Sequence, residues 1–90
     1  MPTYLIEREI PGAGSFTAED LRAISRRSNA VLERLGTGIE WLESHVTDDK
    51  IYCLYHAASE ELIRRHAELG GFPANSIACV RASIDPSSGA

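Results

Sequence analysis

The sequence predicts an α+β domain, and three observations support that prediction. Strand and helix patterns alternate in the order βαββαβ. Clusters of proline and glycine separate most of these segments, and a short polar hairpin joins the second and third strands. This order is that of the split-βαβ, or ferredoxin-like, arrangement. We therefore expect a four-stranded antiparallel sheet that carries both helices on one face.

Length and composition limit the chain to one domain and narrow its partners. Ninety residues with 43% hydrophobic content are enough for one core, which we expect over residues 1–86, with 87–90 as a frayed C-terminal tail. A net charge of −4 argues against nucleic-acid binding. No apolar run suits a membrane helix and no secretory signal is visible, so we expect a cytoplasmic protein with free thiols at Cys53 and Cys79.

The first half of the chain predicts one strand and one helix. The strand is TYLIERE at residues 3–9, and the PGAG cluster at 11–14 ends it. Thr17 then opens a helix, with Asp20 placed to complete a capping box. The apolar stripe of this helix recurs every three or four residues, and Gly36 ends the helix.

The second half predicts a hairpin, a helix and a last strand. Strands at residues 39–46 and 51–57 flank the polar segment 47–50, with Asp48 and Asp49 as the loop. Ser59 caps the second helix, which ends at Gly70 and Gly71. Residues 77–84 form the last strand.

The hairpin register assigns side chains to the two faces of the sheet, because successive residues of a strand point to opposite faces. One face is expected beneath the helices, and it holds Leu42, Ser44, Val46, Ile51, Cys53 and Tyr55. The uncovered face is expected to hold Ile39, Trp41, Glu43, His45, Tyr52, Leu54 and His56. Exposed apolar groups of this size favour burial against a second copy. We therefore expect a homodimer formed sheet to sheet.

The uncovered face also carries candidate metal ligands. His45 and His56 are expected there beside Glu43, and imidazole with carboxylate suits nickel, zinc or copper. The spacing matches no stringent motif, so a polar dimer interface with exposed histidines is the alternative.

Three further residues are candidates for chemistry. His66 on the second helix is expected either to hydrogen-bond a strand or to act as a ligand or base near Cys53 or Glu7. A carboxylate in mid-sheet needs a partner, so Glu7 is expected to meet a metal, a proton or Arg81 on the last strand.

Four stretches resemble a family of small bacterial nickel-binding, nickel-responsive proteins first described as a domain of unknown function. They are YLIERE at 4–9, SHVTDDKIYCLY at 44–55, IRRHA at 63–67 and IDP at 84–86. The resemblance implies a ferredoxin-like fold, a dimer and nickel as the metal. The positions that match the family motif are Glu7, Ser44, Cys53, Tyr55 and His66. His56 stands where the family often has an acidic residue.

Two functions from different classes follow. The first is a divalent-metal protein that sequesters or senses nickel, with ligands drawn from Glu7, Glu43, His45, Cys53, His56 and His66. The second is an enzyme or small-molecule binder of the dimeric α+β barrel type, with Trp41, Tyr52 and Leu54 lining a pocket on the open sheet. No cofactor fingerprint or catalytic motif is present, so enzymatic activity stays open.

Overall fold

The computed structural model describes all 90 residues and confirms the α+β prediction. The strands are β1 (Thr3–Glu9), β2 (Ile39–Val46), β3 (Lys50–Ala57) and β4 (Ser76–Cys79), and the helices are α1 (Ala18–Leu35) and α2 (Glu60–Gly70). The sheet order is β2-β3-β1-β4, and every neighbouring pair is antiparallel. This is the ferredoxin-like arrangement. Two short 3₁₀ turns lie at Ala13–Ser15 and Pro86–Gly89.

Local chemistry sets the helix ends where the sequence predicts them. Thr17 and Asp20 form a reciprocal capping box at the start of α1. The hydroxyl of Ser59 accepts the amide of Leu62 at the start of α2. Gly71 ends α2 in the left-handed conformation, with φ of 68°. Neither helix is both long and apolar enough to cross a membrane.

Both helices pack on one face of the sheet, and the core lies between them and that face. The core cluster takes side chains from β1, β2, β3 and α2, and from the 3₁₀ turn after β1. Its members are Ile6, Ala13, Ile39, Ile51, Cys53, Tyr55, Ala57 and Ile63. Because these residues alternate along β1 and β3, the residues between them lie on the opposite face.

The β2–β3 hairpin has the predicted two-residue loop, but a β-bulge changes the predicted faces. Val46 pairs with Ile51 as expected, and the register shifts between Trp41 and Glu43. A bulge inserts one unpaired residue and so reverses the alternation of the residues before it. Ile39 is consequently buried in the core and Trp41 pairs with Tyr55, so the prediction that both lie on the uncovered face is wrong.

The bulge also changes the position of Leu42. The sequence placed it beneath the helices, whereas it sits at the bulge and is 41% exposed. The bulge also separates the three residues predicted to line a pocket together. Trp41 faces the helices, while Tyr52 and Leu54 remain on the open side.

The last strand is shorter than predicted. It ends at Cys79, not at residue 84, and the amide of Val80 makes a final bond to the carbonyl of Thr3. β4 lies at the sheet edge and pairs only with β1. Because the two strands are antiparallel, β4 has no strand to pair with beyond the first residue of β1.

Candidate functional site

The sheet surface opposite the helices carries four of the six candidate ligands, and we call it the open face. Strand pairing defines its members, which are Thr3, Leu5, Glu7, Glu9, Glu40, Glu43, His45, Lys50, Tyr52, Leu54, His56, Ser76 and Ala78. No helix of this chain packs on it. Its polar groups are therefore placed to meet solvent, ions or another molecule.

One imidazole and one carboxylate are already in contact on this face. Glu43 and His45 are two residues apart on β2, so both side chains lie on the same side of the strand. Nε2 of His45 is 2.9 Å from Oε2 of Glu43, and the two side chains are 67% and 57% exposed. An exposed pair of this kind offers one nitrogen and one oxygen ligand to a divalent ion.

His56 lies on the same face but at the other end of the hairpin. It pairs with Glu40 on β2 and with Thr3 on β1. Tyr52, which is opposite His45, precedes His56 by four residues, so about 13 Å of strand separates the two histidine positions. The two histidines of one chain are thus too far apart to hold one ion.

Glu7 pairs with Lys50, a partner that the sequence patterns did not predict. Its carboxylate accepts a hydrogen bond from Nζ of Lys50, and this bond raises the pKa of Lys50. The expected alternative, an ion pair with Arg81 on the last strand, is wrong because β4 ends before Arg81. A metal at Glu7 must therefore compete with a lysine.

His66 lies on the other side of the sheet, buried between the helices and β3. It is 1% exposed, and its Nε2 is 3.1 Å from Oγ of Ser28 on α1. Its ring also packs against Tyr55 and Phe72. The hydrogen bond of His66 therefore joins it to a helix. The sequence alternative in which His66 hydrogen-bonds a strand is wrong.

The environment of His66 keeps its imidazole neutral. Desolvation by burial, together with the nearby charge of Arg8, lowers the pKa of His66 from 6.5 to about 4. Its Nδ1 atom is buried and has no hydrogen-bond partner. A neutral ring with a free nitrogen has the right chemistry for a ligand. Because His66 is 1% exposed, an ion reaches it only if the surrounding side chains move.

Cys53 shares the helix side with His66, whereas Glu7 does not. The thiol is buried, and Sγ accepts a hydrogen bond from Nε of Arg8 at 3.4 Å. Glu7 pairs with Tyr52 and so lies on the open face. The sheet itself therefore separates His66 from Glu7, which excludes one of the two neighbours considered for this histidine.

Within one chain no three His, Cys, Asp or Glu side chains are positioned to hold a metal ion together. The candidate ligands that contact each other on the open face are Glu43 and His45. Solvent or a second molecule would have to supply the remaining ligands of any ion bound there.

A cavity that the sequence patterns did not predict lies on the helix side of the sheet. About 520 Å³ in volume, it lies between α1, β2, β3 and the loop after α2. Arg8 and Trp41 are among its lining residues. The alternation in β1 carried a usable signal, because Arg8 falls in the same phase as the core residue Ile6.

Comparisons with known proteins extend these observations. A family model described as "Nickel responsive protein SCO4226-like" matches residues 4–80. The crystal structure of SCO4226 from Streptomyces coelicolor A3(2) has a TM-score of 0.76 to this chain at 21% sequence identity, and the match covers 91% of this chain and 99% of that one. At this identity the likeness shows a shared fold. No curated protein matches the chain.

Proposed function

The chain belongs to the SCO4226-like family of nickel-responsive proteins, and on that premise we propose that it binds nickel through its open face and sequesters or senses the ion. The family model covers most of the chain, including every candidate ligand. Ions of similar preference, such as zinc and copper, would compete for the same donor types.

The contact between His45 and Glu43 is the observation that carries this proposal. It brings an imidazole nitrogen and a carboxylate oxygen together at 2.9 Å on exposed side chains. Because both side chains are exposed, an ion from solvent can reach them. Since a ligating imidazole must be deprotonated, nickel affinity is expected to fall as the pH falls.

A second copy of the chain would complete the ligand set. Leu5 pairs with Leu54 at the centre of the open face, and Leu5 is 40% exposed although it belongs to an inner strand. Burying this apolar centre sheet to sheet is the simplest way to remove it from water. The same packing would bring a second set of Glu43, His45 and His56 side chains to the metal site. We propose that the working unit is this homodimer.

Single substitutions on the two sides of the sheet test the assignment. The variants are His45→Ala, Glu43→Gln and His56→Ala on the open face, with His66→Gln as the buried control. Nickel affinity would be measured by calorimetry on tag-free protein. We expect His45→Ala and Glu43→Gln each to weaken binding by about tenfold or more, since each removes a ligand.

The control decides between the two sides. His66→Gln is expected to keep the nickel stoichiometry and affinity of the native chain. Full binding in His45→Ala and His56→Ala, together with loss in His66→Gln, would contradict the proposal and move the ion to the side of His66 and Cys53.

A further inference from the structure

The cavity on the helix side has the size and lining of a small-molecule site. Its volume of about 520 Å³ falls within the range of ligand pockets in proteins. Ten of its 19 lining residues are hydrophobic. The apolar walls include Phe16, Leu21, Ile24, Trp41, Val46 and Ile51. Such walls fit an apolar or aromatic body.

One lining residue is a buried cation without an anion. Arg8 is 3% exposed, and no carboxylate forms an ion pair with it. Its Nε donates to Sγ of Cys53 at 3.4 Å and its Nη1 to the carbonyl of Pro73 at 2.7 Å. Its Nη2 is buried and has no partner. A buried guanidinium with an unused donor is costly and calls for a negative charge.

The surroundings of Arg8 add a second positive charge. Arg27 of α1 also lines the cavity, and the guanidinium carbons of Arg27 and Arg8 lie 4.6 and 5.5 Å from the ring centroid of Phe72. Contact with an aromatic ring stabilises the cations but neutralises neither. Glu9 is the one acidic residue in the lining, but its side chain belongs to the open face. Its carboxylate accepts a hydrogen bond from Asn75 and forms no ion pair with either arginine.

We propose that this cavity binds a small organic monocarboxylate, with its apolar body against the walls and its carboxylate paired with Arg8. A hydrogen bond from a guanidinium to a carboxylate is strong because both partners are charged. Nη2 is the donor left free for this purpose. The site lies across the sheet from Glu43 and His45 and does not depend on nickel binding.

Trp41 provides the readout for a direct test. It is the chain's one tryptophan and lines the cavity, so a ligand there changes its fluorescence. The probes are hydrocinnamate, octanoate, the neutral amide of hydrocinnamate, and phenyl phosphate. We expect saturable binding of the carboxylates, with the amide weaker by about tenfold or more because it lacks the charge.

Variants locate the charge that is recognised. Arg8→Met is expected to abolish the preference for hydrocinnamate over its amide, and Arg8→Lys to retain part of it. Arg34→Gln, an exposed change in the last turn of α1, is the control and is expected to bind as the native chain does. Melting curves identify any variant that fails to fold, in which case Arg8→Lys carries the test.

Several outcomes would overturn the inference. Equal binding of hydrocinnamate and its amide would show that only the apolar body is recognised. Tight binding of phenyl phosphate without the carboxylates would assign the site to phosphate monoesters. No saturable change in Trp41 fluorescence with any probe would remove the cavity as a ligand site.

Discussion

Nε2 of His66 lies 3.1 Å from Oγ of Ser28, and this contact joins the buried faces of α2 and α1. The histidine lies in the interior of the protein, where burial and Arg8 keep its ring neutral. The burial of this ring beside Arg8, and not its contact with Ser28, therefore makes the fold sensitive to acid.

We expect the stability of the fold to fall with pH through His66. The folded-state pKa of about 4 lies below the ordinary value of 6.5, so the unfolded chain takes up the proton first as the pH falls. The contribution is complete above about pH 6.5 and is lost toward pH 4, a change of roughly 3 kcal/mol in the free energy of unfolding. Urea unfolding at a series of pH values measures it.

His66→Gln isolates this effect from the titration of the carboxylates. The variant is expected to lose the part of the pH slope between about 6.5 and 4. Arg34→Gln, an exposed change in the last turn of α1, is the control and should keep the native slope. An unchanged slope in His66→Gln would show that other groups cause the acid sensitivity.

Gly14 lies where the turn after β1 packs against the loop of the β2–β3 hairpin. Its amide donates to the carbonyl of Asp48 at 2.9 Å, and an added Cβ would lie 2.9 Å from the Cα of Asp48. Because backbone atoms cannot swing aside, we expect Gly14→Ala to lower the free energy of unfolding by about 1–3 kcal/mol. Gly89→Ala, which meets no atom within 4 Å, is the control for urea unfolding. Equal stability of the two variants would contradict this account of the turn.

Two equally exposed leucines, one on the open face and one on a helix, test the dimer. Leu5 on β1 and Leu69 on α2 are each 40% exposed. If the open face is the interface, Leu5→Lys brings an unpaired charge into it and should yield monomers, whereas Leu69→Lys should remain dimeric. Sedimentation velocity at equal concentrations distinguishes them. Dimers in both variants, or a monomeric native chain, would rule out this interface.

The sequence predicted those parts of the fold that depend on local patterns. The capping box at Thr17 and the two-residue hairpin loop follow from residue types at fixed spacing. The contact between His45 and Glu43 also follows, because residues two apart in a strand share a face.

The remaining features depend on non-local packing. The bulge at Leu42 has no glycine to mark it, yet it moves Trp41 to the helix side. The last residue of β4 depends on where its partner β1 begins. The residues of β4 do not encode that position. The approach of Arg8 to Cys53 required the pairing of two strands to be known.

Calorimetric titration of the native, tag-free chain with nickel at neutral pH, with zinc in parallel, tests the central claim most directly. The account predicts saturable binding at a defined ratio to the dimer, weakened by His45→Ala and reduced at lower pH. Absence of nickel binding to the folded native chain would contradict it and would leave the family relationship as one of fold alone.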